Sequence, residues 1–182
     1  SGKGVPAALF MALSVTVLRF ALELNLSPRE LLHRANLTML NNQESGMFTT
    51  AFVGYLDEKT GDLIYASGGH LPPIHYHQQT GTCTRLAIHG VALGVFAKAT
   101  YDESVCHIEK GDVLAFYTDG ISEAINEADE EFGEERIIAT IQSLATQSAE
   151  AIAQAVKSAV IQHTKSQGIF DDETLIILKR TS

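Results

Sequence analysis

Apolar residues fill almost every position from 5 to 18, and the run stops at Arg19. The stretch is short for a membrane span and suits a buried core helix. Pro6 stands where a helix begins, because the N–H it lacks would find no partner there. The pattern predicts a helix to about residue 24, apolar nearly all round and so buried on most sides. A second helix follows, with Ser27 as N-cap, Pro28 at its first position and Glu30 completing a capping box. Leu31, Leu32, Ala35 and Met39 give it a core face.

The period then shortens to two. Residues 47–56 and 63–67 read as strands joined by the turn formers Asp57-Glu58-Lys59-Thr60-Gly61. Further strands are predicted over 72–77, 83–88, 101–108 and 113–118, with turns at Gln79-Thr80-Gly81 and Glu109-Lys110-Gly111-Asp112. Such short turns imply a mostly antiparallel meander. Helical spacing returns over 134–144. It returns again from the cap Ser148 to about 165, with Ile152, Val156, Ala159 and Val160 inward. A β-branched strand over 174–178 closes the chain. Helices, a block of strands, helices and a last strand make the fold class α+β, in a single domain over 1–182.

Hydrophobic residues make up 45% of the chain, enough for a core, and the net charge is −9. An acidic domain is a poor partner for nucleic acid, whose backbone rewards basic patches. Cys83 and Cys106 have no metal-ligand spacing; pairing is open to them, and they read first as reduced thiols of a cytoplasmic protein. No secretory signal and no membrane partner are expected.

Two acidic spots stand at the ends of predicted core strands: Asp119, directly after 113–118, and Asp171-Asp172, directly before 174–178. Converging carboxylates suit Mg²⁺ or Mn²⁺, which take hard oxygen ligands and keep several waters. Taken singly, each also reads as an ordinary turn or solvated loop. His70, His75 and His77 invite a zinc reading, with His75 and His77 on one strand face. No third ligand stands at a typical spacing, so the stretch reads as an ordinary strand face that begins abruptly or lies at an edge after Pro72-Pro73. The six acids within 127–135 read as a solvated loop capping the next helix, or as a flap beside a metal site. The opening Ser1-Gly2-Lys3-Gly4 resembles an anion-holding turn. It lacks the hydroxyl residue after the lysine that a nucleotide P-loop needs.

Six segments, in order, resemble one family. They are Ser1-Gly2-Lys3-Gly4-Val5-Pro6-Ala7-Ala8-Leu9, Met47-Phe48-Thr49-Thr50-Ala51-Phe52, Ala66-Ser67-Gly68-Gly69-His70-Leu71-Pro72-Pro73, Tyr117-Thr118-Asp119-Gly120-Ile121-Ser122-Glu123-Ala124, Phe132-Gly133-Glu134-Glu135-Arg136 and Asp171-Asp172-Glu173-Thr174. Together they are similar to the stage II sporulation protein E-type phosphatases, a bacterial branch of the metal-dependent PPM (protein phosphatase 2C) superfamily. The resemblance implies an antiparallel β-sandwich flanked by helix pairs. It implies metal-dependent hydrolysis of phosphoserine or phosphothreonine on a signalling protein, here an anti-sigma-factor antagonist. It implies two Mn²⁺ or Mg²⁺ ions that activate a water. Asp119 and Asp171 would be metal ligands, Asp172 would add an occasional contact, and Ser1 and Lys3 would lie at the substrate phosphate.

In the family the first motif is preceded by an aspartate shared by both metals, so this chain is expected to hold half a site and to be truncated on its N-terminal side. Ser1 stands where some relatives carry a histidine general acid, and a serine is a poor acid at neutral pH. An N-terminal sensor or receiver domain is expected in the parent chain, and edge strands left exposed by the truncation predict that this fragment, rather than the native protein, forms a homodimer or swaps. The runner-up reading is a catalytically inactive phosphatase-like module that docks a protein. A third, an acidic α+β domain with no site, predicts that Asp119→Asn and Asp171→Asn alter only local stability.

Overall fold

The elements run α1 (Val5–Leu22), α2 (Pro28–Asn41), β1 (Ala51–Leu56), β2 (Asp62–Gly68), β3 (Ile74–His77), β4 (Thr82–Arg85), β5 (Ser104–His107) and β6 (Val113–Tyr117). Then come a one-turn α3 (Asp119–Ser122), α4 (Glu134–Leu144), α5 (Ala149–Thr164) and β7 (Leu175–Lys179). This is a computed structural model, and it describes residues 4–41, 46–165 and 172–181. The chain divides into two units. One takes residues up to His70 together with Ile88–His107; the other takes Leu71–Ala87 and the chain from Ile108 onward.

The first unit holds α1, α2 and the antiparallel sheet β1-β2-β5. The capping box forms as predicted: the Ser27 N–H donates to Glu30 Oε2 at 3.1 Å, and the Glu30 N–H donates to Ser27 Oγ. Leu31, Leu32, Ala35 and Met39 are fully buried. The β1–β2 hairpin sets Leu56 opposite Leu63. Its turn is held by Asp57, whose Oδ1 accepts the Lys59 and Thr60 N–H groups, and by Gly61 at φ 86°, where a side chain would be strained.

Helix α1 departs from expectation. Only Phe10, Ser14 and Ala21 are buried along it, while Val5, Leu9 and Met11 are 73%, 67% and 66% exposed. It packs through one face onto α2, and among the described residues nothing covers the other. Its 18 residues, of mean hydropathy 1.9, meet the length and apolarity needed to cross a bilayer, which the shorter run counted in the sequence does not.

The second unit holds the antiparallel sheet β4-β3-β6-β7 with α3, α4 and α5. Antiparallel pairing is as predicted, but the order is no meander: the chain leaves the first sheet after β2 and returns to it only for β5. Pro72 and Pro73 sit at that departure. They offer no N–H to a ladder, so pairing stops at Gly68 and restarts at Ile74. Strand β3 does begin abruptly, but it lies inside its sheet, between β4 and β6.

The core of this unit gathers Ile74, Val113, Ala115, Phe132, Ile137, Ile141 and Ile152, all at most 1% exposed. Each large aliphatic among them contributes about 2 kcal/mol by burial. Ser148 caps α5 by accepting the Ala151 N–H. Lys179 of β7 donates to the Ala145 and Gln147 carbonyls at 2.7 and 2.6 Å, placing a cation at the C-terminal end of α4.

Candidate functional site

Strands β6 and β7 pair with Tyr117 opposite Leu175. That register sets Thr118 beside Thr174 and brings the two acidic stretches to one end of one strand pair. Past the last rung, the Thr118 N–H donates to the Thr174 carbonyl at 3.1 Å. The Thr174 N–H donates to Thr118 Oγ1 at 2.9 Å, and that hydroxyl donates to the Asp172 carbonyl at 2.9 Å. Asp119 opens α3 and accepts the Gly120 N–H on Oδ1 at 3.0 Å. Asp119 and Asp172 are both exposed, so their carboxylates keep the access to water that a hydrated cation requires. Asp171, Ser1 and Lys3 lie outside the described residues.

The support under this end is a chain of paired polar groups that starts at the buried Tyr117. The Tyr117 hydroxyl donates to Glu134 Oε2 at 2.8 Å, and Arg85 Nε lies 2.6 Å from Glu134 Oε1. Burial, and then the Glu134 carboxylate, hold the Tyr117 hydroxyl protonated far above its ordinary range. The Gly133 N–H donates to the Ser122 carbonyl and the Phe132 N–H to the Ala124 carbonyl, fastening the start of α4 to α3. Arg136 spans the last acidic turn: its Nη1 donates to the Glu131 and Phe132 carbonyls, and its guanidinium lies over the Phe132 ring. The arginine of the F-G-x-x-R segment is therefore a brace.

The acidic loop takes its solvated form. Residues 127–131 are exposed and fold around Asn126, whose Oδ1 accepts the Ala128 and Glu130 N–H groups. His163 of α5 donates to the Glu130 carbonyl from behind. Beside the acidic end, a cavity of about 330 Å³ is lined by Ile121, Leu175, Glu150, Lys157 and Glu173.

A second cluster stands at the opposite end of β6. His75 Nε2 donates to Asp112 Oδ2 at 2.8 Å, and His77 Nδ1 lies 3.9 Å from the same oxygen. The two rings are 4.0 Å apart. Asp112 Oδ1 accepts the Gln78 N–H and Oδ2 accepts the Glu109 N–H. Burial lowers the proton affinity of His75, partly offset by its hydrogen bond to Asp112. Asp112 is the residue that reading the sequence misses. It reads there as a turn former, 37 positions from His75, and only the β3–β6 pairing unites them. His70 does not join this cluster; its N–H donates to Ser67 Oγ, and its Nδ1 lies 3.3 Å from Thr50 Oγ1. Cys83 and Cys106 form no disulfide, and burial raises the Cys83 thiol.

Comparisons with known proteins find the same family. The family model described as stage II sporulation protein E (SpoIIE) matches residues 1–181. The chain is similar to phosphoserine phosphatase RsbU of Bacillus subtilis, at 32% identity over 69% of this chain and 38% of RsbU. It thus spans well under half the length of that relative. Among solved structures it resembles the SiaA PP2C domain of Pseudomonas aeruginosa, with a TM-score of 0.86 and 20% identity over 98% of this chain and 72% of that one. It also resembles the PP2C phosphatase domain of SpoIIE from Bacillus subtilis, with a TM-score of 0.80 and 18% identity over 97% of this chain and 51% of that one. The chain belongs to the SpoIIE family and has the PP2C phosphatase fold.

Proposed function

We propose that residues 1–182 are one domain of a cytoplasmic protein-serine/threonine phosphatase, dependent on Mn²⁺ or Mg²⁺, whose substrate is a phosphorylated anti-sigma-factor antagonist. The observation that carries this reading is the junction at Thr118, which brings the Asp119 and Asp172 stretches to the same end of the β6–β7 pair. The donor set fits a hard ion: exposed carboxylates, without sulfur or imidazole. The related RsbX was solved in complex with magnesium. In this reading Asp119 and Asp171 hold metal, Asp172 adds a contact, and Ser1 and Lys3 meet the substrate phosphate. Two bound ions would supply an activated water and neutralise charge on the phosphoryl oxygens.

The chain's own residues do the positioning. Thr118 fixes the separation of the two acidic stretches, and the hydrogen-bonded Tyr117–Glu134–Arg85 group keeps the strand end from shifting. The cavity lined by Ile121, Leu175 and Lys157 is suited to a side chain flanking the phosphoserine. The parent chain is proposed to carry a sensor or receiver ahead of this domain.

The test is hydrolysis of p-nitrophenyl phosphate with and without Mn²⁺, by this chain and by one extended upstream. Mn²⁺-dependent turnover by the extended chain, abolished by Asp119→Asn, is the expected result. No turnover by either would turn the reading towards a phosphatase-like module that binds a partner.

A further inference from the structure

We propose that His75, His77 and Asp112 form a second metal site, for one zinc-class divalent ion, apart from the acidic end of β6. The three ligand atoms lie within 4.8 Å of one another. A tetrahedral ion with bonds of about 2.0–2.1 Å needs its ligands roughly 3.3 Å apart. The contacts to Asp112 Oδ2, at 2.8 Å from His75 and 3.9 Å from His77, bracket that spacing. Small side-chain rotations close the set.

The surroundings orient each ligand. His77 Nε2 lies 2.8 Å from Thr84 Oγ1; donation there leaves the Nδ1 lone pair facing Asp112. The Gln78 and Glu109 N–H groups fix both oxygens of the Asp112 carboxylate. His75 and Asp112 are 2% and 1% exposed, whereas His77 is 32% exposed. The site is therefore rigid on two sides and open on the third, where an ion enters and a water completes the shell. Ligation through Nε2 requires the neutral His75 tautomer that carries its proton on Nδ1.

Two imidazoles and one carboxylate suit Zn²⁺, Co²⁺ or Ni²⁺ and are poor ligands for Mg²⁺. The six-residue step from Asp112 to Thr118 along β6 spans roughly 20 Å. The ion sits too far away to share ligands with Asp119. It would tie β3 to the turn before β6. This inference does not depend on the phosphatase reading.

Co²⁺ titration in excess Mg²⁺ tests it, because Mg²⁺ occupies oxygen sites and leaves imidazole sites open. The wild-type chain should develop the visible absorption bands of low-coordinate Co²⁺, saturating at one equivalent and displaced by Zn²⁺. His77→Ala should weaken Co²⁺ binding at least ~10-fold with the metal-free fold intact by circular dichroism. Zn²⁺ should also shield His77 of the wild-type chain from diethyl pyrocarbonate, a readout that needs no variant. Absent bands, bands that persist in His77→Ala, or unshielded His77 would each overturn the proposal.

Discussion

The Thr118 hydroxyl accepts the Thr174 N–H and donates to the Asp172 carbonyl, both at 2.9 Å. One side chain thus extends the β6–β7 pairing past its last rung and fixes where two acidic segments stand. Thr118→Val keeps the shape and removes both bonds. The expected loss is about 1 kcal/mol of stability, since the position is open to water, together with weaker Mn²⁺ binding. Thr118→Ser should behave as wild type. Urea unfolding and Mn²⁺ titration of both variants check this, and a Val variant with unaltered Mn²⁺ affinity would remove the clamp from the account.

Tyr101 is 3% exposed, and its buried hydroxyl has no partner among the described residues. Burial pushes that hydroxyl up to about 12. The unfolded chain ionises near pH 10, so between those values it gives up a proton that the native state keeps. The stability contributed is complete below pH 10 and is lost as pH rises towards 12. Tyr101→Phe removes an unsatisfied polar group, and we expect a gain of about 1 kcal/mol at neutral pH with a shallower alkaline decline. Chemical denaturation across pH 7–12 reads both effects; a destabilised Phe variant would mean the hydroxyl has a partner.

Asn36 is fully buried and clamps a loop from both ends of its amide. Nδ2 donates to the Phe96 carbonyl at 2.8 Å, and Oδ1 accepts the Gly94 N–H at 2.9 Å. Asn36→Ala strands two polar backbone groups and should cost about 3 kcal/mol. Thermal unfolding measures it, and a loss under about 1 kcal/mol would show that water replaces the amide.

Along α1, neighbours should respond in opposite ways. Phe10 is buried and Leu9 and Met11 are exposed. Phe10→Ala should destabilise by about 3–4 kcal/mol, while Leu9→Gln and Met11→Gln should change stability by less than about 0.5 kcal/mol. Equal losses at all three would mean that the outer face of α1 is covered in solution.

Local signals in the sequence were sound wherever chemistry acts over a few residues. Ser27 and Glu30 announce the capping box that forms, Ser148 announces the cap of α5, and Asp57 and Gly61 announce their turn. What escaped was pairing at long range. Apolarity all round α1 says that its residues avoid water, not which neighbour covers them. Tyr117 opposite Leu175, and the meeting of His75 with Asp112, are set by strand order, which no short window contains. Position at strand ends marks Asp119 and Asp172 in the sequence, and the resemblance to a family adds to that; Thr118, which joins the two stretches, reads there only as the end of a strand.

The proposed reaction requires a divalent ion, Mn²⁺ or Mg²⁺, at the Asp119 end of β6. Electron paramagnetic resonance of free Mn²⁺, titrated into the upstream-extended chain and its Asp119→Asn variant, tests it most directly. Binding that Asp119→Asn weakens by at least ~10-fold, with the fold intact by circular dichroism, is the expected result. Unchanged Mn²⁺ affinity in Asp119→Asn would contradict it and would place the metal, if the protein binds one, on other residues.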